Sequence, residues 1–179
     1  MVDVSWRTLY ATWIRFFMGN RLAPYHGTPE KTMRQILNIA SVKRGDHFID
    51  LGCGDGRFLI EAAKKGAKAT GYELNPEIAE LARNNVKASS YAESITIHEK
   101  DLRDADLSDG SVVVLYLSES GNIKLLPLLN KYLSSKPSAR IVTLVFPIKT
   151  YTPIRTELTD EGVPIMLFNG ESLPKDLKM

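Results

Sequence analysis

The stretch Asp50-Leu51-Gly52-Cys53-Gly54-Asp55-Gly56-Arg57 constrains the fold more than any other part of this 179-residue chain. Phe48 and Ile49 close an apolar run that reads as a buried strand, and Arg57 through Lys65 reads as a helix stopped by Gly66. A strand therefore passes directly into a helix through three glycines at alternate positions. Glycine tolerates the tight backbone required there, and its missing Cβ lets a small polar ligand approach the N–H groups at the helix start. The spacing narrows the ligand. A dinucleotide fingerprint, G-x-G-x-x-G, would place its third glycine where Arg57 stands, and the G-K-[ST] of a phosphate-cradling loop is absent. The pattern left is [DE]-x-G-x-G-x-G, with a purely structural glycine turn as the bland alternative.

The next strand tests this reading independently. Ala67 to Glu73 follows the helix and ends in a carboxylate 17 positions beyond Gly56. Two ribose hydroxyls are two donors, and one bidentate carboxylate at a second strand end accepts both. A merely solvated strand-end glutamate is the alternative. Ser94 to His98 then alternates like a third strand and runs into Glu99-Lys100-Asp101-Leu102. Asp104 and Asp106 follow so closely that a solvated acidic loop stays open for Asp101.

Helices and strands alternate along the rest. Thr28-Pro29-Glu30 reads as an N-cap with proline at the first helical position, opening a helix over residues 31–40. Asn75-Pro76-Glu77 opens a helix to about Ala88. Val112 to Leu117 is a β-branched buried strand, Asn122 to Leu133 is helical around Pro127, and Arg140 to Phe146 is a strand. The alternation implies a parallel, doubly wound α/β sheet with its ligand at the carboxyl ends of the strands. In the tail, Thr156 to Thr159 and Val163 to Phe168 flank Asp160-Glu161-Gly162, a turn between two short strands.

Composition limits the partners. Twenty-three Lys and Arg against 21 Asp and Glu leave a net charge of +2, with the basic residues dispersed, so there is no strong nucleic-acid signal. A single cysteine excludes an internal disulfide, and with only His26, His47 and His98 no metal-ligand cluster is expected. Cys53 suits the glycine turn by its small size, a reactive thiol being the alternative. No leader peptide is evident, so a cytoplasmic protein is expected, and separately a monomer. Trp6, Leu9, Tyr10, Trp13, Ile14 and Phe17 recur at helical spacing, giving an amphipathic helix within residues 1–20 ahead of one domain at 21–179. It is too short and too charged to span a bilayer; it can dock as a lid, or make a peripheral membrane or partner contact through residues 6–18.

The glycine turn resembles motif I of the class I S-adenosylmethionine-dependent methyltransferases. That resemblance implies a Rossmann-like seven-stranded methyltransferase sheet with a terminal antiparallel strand, S-adenosyl-L-methionine as cofactor, S-adenosyl-L-homocysteine as product, and no metal. It further implies Asp50 near the amino group of the methionine moiety, with Gly52, Gly54 and Gly56 at the helix start facing its carboxylate. Glu73 would take the ribose, with Leu74 beside it. Asp101 would meet the adenine amino group and the N–H of Leu102 a ring nitrogen. Tyr25 and Thr28 would close over the methionine end, Thr28 being equally readable as a plain helix cap.

The [DNS]-P-P-[YF] that follows the fourth strand in enzymes methylating adenine or glutamine is absent, because Leu115-Tyr116-Leu117-Ser118 stands there. Pro24 to Glu30, the glycine turn, Leu115-Tyr116-Leu117, Leu126-Pro127-Leu128-Leu129 and Ala139 to Thr143 together resemble the small archaeal protein-lysine methyltransferases. Those are similar to mitochondrial lysine methyltransferases acting on inner-membrane proteins. The resemblance spans residues 24–150 and departs at His26 and Gly27, where the family has an apolar residue and a proline. It implies a protein substrate with an accessible lysine. At the end of the fourth strand an aromatic hydroxyl could orient the amine, which makes Tyr116 the catalytic candidate; a core tyrosine with a satisfied hydroxyl is the alternative. A small-molecule methyltransferase and a non-catalytic cofactor-binding module are the competing functions.

Overall fold

The computed structural model describes residues 28–177; Tyr25 and the amphipathic stretch at 6–18 lie outside them. In chain order the main elements are α1 (Glu30–Ile39), β1 (His47–Leu51), α2 (Arg57–Lys64), β2 (Lys68–Glu73), α3 (Pro76–Ala88), β3 (Ile95–Glu99), β4 (Val112–Leu115), α4 (Glu119–Ser135), β5 (Arg140–Leu144), β6 (Arg155–Leu158) and β7 (Pro164–Phe168). The strands form one seven-stranded sheet in the order β3-β2-β1-β4-β5-β7-β6. Neighbours from β3 to β5 run parallel, whereas β7 is antiparallel to both β5 and β6. The order reverses between β1 and β4, and at such a switch point the loops leave the strands in opposite directions and open a crevice at their carboxyl ends.

Every residue of β4 is buried, because helices cover both faces of the sheet; this is why Val112-Val113-Val114-Leu115 shows no polar alternation. Strand alternation divides the core in two. Phe48, Val114, Val142 and Leu144 pack with α1, α2 and Val86 of α3 on one face, while Ile49, Leu51, Val113, Leu115 and Ile141 pack with α4 on the other.

Several boundaries differ from those expected. The cap of α1 is Pro29 with an extended ψ of 145°, and no side chain caps it, so Thr28 falls one residue short of that role. Strand β4 stops at Leu115, where its pairing to Leu51 and Thr143 ends, and α4 begins at Glu119 because the Ser118 hydroxyl accepts the Gly121 N–H at 3.1 Å. Pro127 lies inside α4. Strand β5 stops at Leu144 because Val145 adopts φ +69°. Asn75 caps α3 as expected, accepting from the N–H groups of Glu77 and Ile78.

Candidate active site

The glycine turn is as constrained as its sequence suggests. Gly52, Gly54 and Gly56 all have positive φ, at +99°, +54° and +80°, where a Cβ would strain the backbone. The N–H groups of Gly52 and Cys53 both donate to the Tyr72 carbonyl of β2, and that of Gly56 donates to Cys53, which locks the turn against the neighbouring strand. The side chain of Asn85 on α3 donates to the Asp55 carbonyl at 2.9 Å, tying the outer edge of the turn to α3. Asp55 itself is paired with the Arg57 guanidinium.

Glu73, at the end of β2, reaches back over the turn. One carboxylate oxygen accepts the Gly54 N–H at 3.2 Å and the other the Asn75 N–H at 2.9 Å. Two backbone donors thus fix the carboxylate while leaving acceptor lone pairs for a diol. The approach of β2 to the turn depends on Gly71: a Cβ there would lie 2.6 Å from Cys53 Sγ and 2.6 Å from Leu59 Cδ1. Leu74, next in the chain, is 55% exposed and offers apolar surface beside Glu73.

Asp50 is the unusual group. It is only 6% exposed, and no hydrogen-bond donor reaches its carboxyl among the described residues. Burial, reinforced by the charges of Glu73 and Asp55, pushes its pKa up to about 7. A buried carboxyl without a donor has the wrong environment for holding a charge by itself and the right one for receiving a cation. Cys53 responds in the same direction: burial first, then Asp50 and Glu73, raise its thiol pKa, which makes it an inert small filler of the turn.

Asp101 begins a short 3-10 turn after β3, and its carboxylate accepts the Arg103 N–H at 2.9 Å and the Arg103 guanidinium at 2.9 and 2.7 Å. Those bonds hold its pKa below the ordinary value. The adjoining Leu102 is buried in the core. The same loop is tied to β2 by Tyr72, whose hydroxyl donates to the Asp106 carbonyl and accepts the Asp106 N–H, each at 3.1 Å. Across the crevice, Tyr116 follows β4. It packs, half-buried, against the core of the face that carries Phe48 and Val114, and Asp50 is the register partner of Val114. Alternation puts Asp50 and Tyr116 on this face, with Cα atoms about 8 Å apart by strand spacing and rise.

The family described as the ANTKMT methyltransferase domain matches residues 50–155, from Asp50 to the start of β6. The chain belongs to that methyltransferase family. A protein-lysine N-methyltransferase of Saccharolobus islandicus (strain REY15A) is 37% identical over 141 residues, which is 78% of this chain and 86% of the relative. The adenine nucleotide translocase lysine N-methyltransferase of Mus musculus is 36% identical over 136 residues, 73% of this chain and 56% of the relative. The chain thus spans most of the first relative and little more than half of the mouse one. Among solved structures, an RNA methyltransferase from Salinibacter ruber in complex with S-adenosyl-L-homocysteine superposes with a TM-score of 0.79 at 35% identity, covering 86% of this chain and 100% of that one.

This methyltransferase uses S-adenosyl-L-methionine. Its residues suit that cofactor. Asp50 offers an unpartnered buried carboxyl to an ammonium and Glu73 a pre-aimed bidentate acceptor to a ribose; the N–H groups of Gly52, Gly54 and Gly56 are taken by Tyr72, Glu73 and Cys53, so these glycines admit a ligand by their missing Cβ atoms and not as free donors. No cluster of three or more His, Cys, Asp or Glu able to hold a metal occurs among the described residues. The structure brings Asp50, Gly52, Gly54, Gly56, Glu73 and Tyr116 to one end of one sheet. It gives Asp101 a local partner in Arg103, and leaves Thr28 at the first described position. Sequence reasoning overlooked Gly71, Asn75 as a holder of Glu73, and the Ser118 cap; only Asn75 carried a local signal, its N–P dipeptide.

Proposed function

We propose that this methyltransferase transfers the cofactor's methyl group to a lysine side chain of a protein. The observation that carries the proposal is the placement of Tyr116: its strand-end position is on the face of Asp50, at the mouth of the crevice and beside the cofactor residues. The Saccharolobus islandicus and mouse relatives named as lysine N-methyltransferases support the same acceptor.

The cofactor supplies an electrophilic methyl group on a sulfonium, so the protein's task is to deliver a neutral amine in line with the methyl–sulfur bond and to exclude water. Asp50 and Glu73 would hold the cofactor's polar ends, and the glycine turn would leave room for it between them. A lysine with a reference pKa near 10.4 costs roughly 4–5 kcal/mol to deprotonate at pH 7. Half-buried apolar surroundings at Tyr116 lower that cost by disfavouring the ammonium. The Tyr116 hydroxyl accepts one amine hydrogen and turns the nitrogen lone pair towards the methyl group. The lysine ammonium first releases its proton to solvent, and the neutral nitrogen then takes the methyl group that the cofactor would supply.

Incubation with tritiated cofactor and a host lysate, followed by acid hydrolysis, should yield labelled methyl-lysines. Label confined to RNA, the substrate class for which the Salinibacter ruber protein is named, or to small molecules would overturn the acceptor assignment. The near-neutral and dispersed charge favours protein over RNA.

The same proposal takes the protein as a cytoplasmic monomer in which residues 6–18 serve as a lid or as a peripheral membrane or partner contact. No helix of the described residues is long and apolar enough to cross a membrane. Sedimentation with anionic vesicles, compared between the full chain and a variant with Trp6 and Trp13 changed to Ser, checks that contact.

A further inference from the structure

The segment that leaves β5 crosses the carboxyl edge of the sheet. Leu144, Val145 and Phe146 pack on the face of α1 and Tyr116, whereas Ile148 and Tyr151 pack on the face of α4. The crossing is made by a three-residue turn in which the Phe146 N–H donates to the Leu144 carbonyl at 2.8 Å, with Val145 at φ +69° in its centre. This is the strained form of the γ-turn, and a β-branched residue is among the least suited to its centre. Backbone strain of this kind persists only where surrounding contacts over-determine it.

Those contacts are present. The Val145 N–H donates to the Pro164 carbonyl of β7 at 2.9 Å. Asn122, in the first turn of α4 and 1% exposed, donates from its side-chain amide to the carbonyls of Phe146 at 3.1 Å and Pro147 at 3.3 Å. Lys149 pairs with Glu119 on the same helix end. The backbone of Phe146 is thereby pinned towards α4, while its ring stays on the other face, half-buried against the same core cluster as Tyr116. Leu115 is in register with Thr143, so the two aromatic residues occupy the ends of adjacent strands, Tyr116 on the strand that pairs with β1.

We propose that Phe146 is the second wall of the acceptor slot, forming with Tyr116 an aromatic passage that selects an unbranched aliphatic amine, with Asn122 and the Val145 turn as its positioning residues. This deepens the lysine assignment and rests on it. An aromatic ring on each side contacts the methylene stem and strips water from the amine, whereas a short hydroxylated chain gains little there.

The test measures tritium incorporation into lysines against lysate protein concentration at saturating cofactor, alongside S-adenosylhomocysteine affinity by calorimetry. Phe146→Ala should raise the half-saturating protein concentration at least tenfold, with product affinity within twofold of the parent. Phe146→Tyr should restore it, and Asn122→Ala should raise it several-fold. If Phe146→Ala does not fold, Phe146→Leu decides, with a several-fold rise expected. Unchanged half-saturation in the Ala or Leu variant, or a parallel loss of product affinity, overturns the proposal. Absence of labelled lysine with the parent protein overturns the lysine assignment instead, so the two failures are distinguishable.

Discussion

Cofactor binding should weaken in mild acid because of Asp50. In the ligand-free protein this carboxyl has a pKa of about 7, raised by burial and then by the charges of Glu73 and Asp55. The ammonium of a bound cofactor would return it to or below the ordinary carboxylate value near 4, so binding expels a proton wherever the free site is protonated. Linkage then gives a dissociation constant about 25-fold larger at pH 5.5 than at pH 7.5, or about 2 kcal/mol. Calorimetry with S-adenosylhomocysteine, repeated in buffers of different ionisation enthalpy, reads both the slope and the proton released. Asp50→Asn should bind weakly at every pH and lose the slope. The same group predicts a stability effect of opposite sense. Its folded pKa lies above the unfolded value, so its contribution is full below about pH 4 and lost as pH rises through 7, a total of about 4 kcal/mol. An asparagine there removes that cost but leaves an unpaired amide worth about 2 kcal/mol. Asp50→Asn should therefore stabilise the ligand-free protein by about 2 kcal/mol at pH 8 and lose that advantage at pH 4, as read by urea unfolding. A parent affinity that is flat between pH 5.5 and 7.5, or an Asn variant that keeps the slope, would refute the linkage.

Tyr116→Phe should leave product affinity unchanged and lower kcat by about 10- to 100-fold, the worth of one hydrogen bond to the reacting amine, in a steady-state assay of tritium transfer. Gly71→Ala should cost about 1–3 kcal/mol in urea unfolding, because the new Cβ meets Cys53 and Leu59 at 2.6 Å. At the opposite end of the sheet, Asp46 accepts from the Ser111 hydroxyl, the Lys43 N–H and the Arg140 guanidinium, and these outweigh a burial effect that alone would raise its pKa. Asp46→Ala should destabilise by about 3 kcal/mol at pH 7. Because the folded pKa is depressed, the Asp46 contribution to the parent is present above about pH 4 and lost as pH falls below it, so parent and variant should converge in acid unfolding.

What the sequence disclosed and what it hid follow from the range of the forces involved. The three glycines, the Asn75-Pro76 helix start and the valine run of β4 are local signals, set by backbone sterics and by burial on both faces, and each appears in the fold where its residues suggest. The Arg103 partner of Asp101 was also local, two residues away, but an acidic loop gives no sign of which carboxylate is taken. Gly71 carries no local signal of its role. Its necessity exists only once α2 and the turn close over β2 and bring Cys53 and Leu59 against it. The early start of α4 turned on one serine hydroxyl, which outweighed the helix-weakening Gly121 and Asn122.

Val145 and Asn122 were hidden for a deeper reason. By propensity, valine belongs in a strand and asparagine at a cap, and the structure puts the first in a left-handed turn and the second in the buried first turn of a helix. Each violates its local preference only because the other contact network is in place, Asn122 holding the carbonyls that the Val145 turn presents. Asp50 violates a preference too, being a buried carboxyl without a donor. These departures fall along one rim of the sheet, at the ends of β1 and β5 on either side of Tyr116, whereas Ser41, at φ +51°, lies at the opposite end. Departures of this kind persist in native chains chiefly where a ligand or a reaction requires them. A cofactor relieves the first by supplying the missing cation. The second is a standing constraint on Phe146, and this difference is why the Asp50 variant should alter binding of the cofactor while the Asn122 variant should alter only the demand for acceptor.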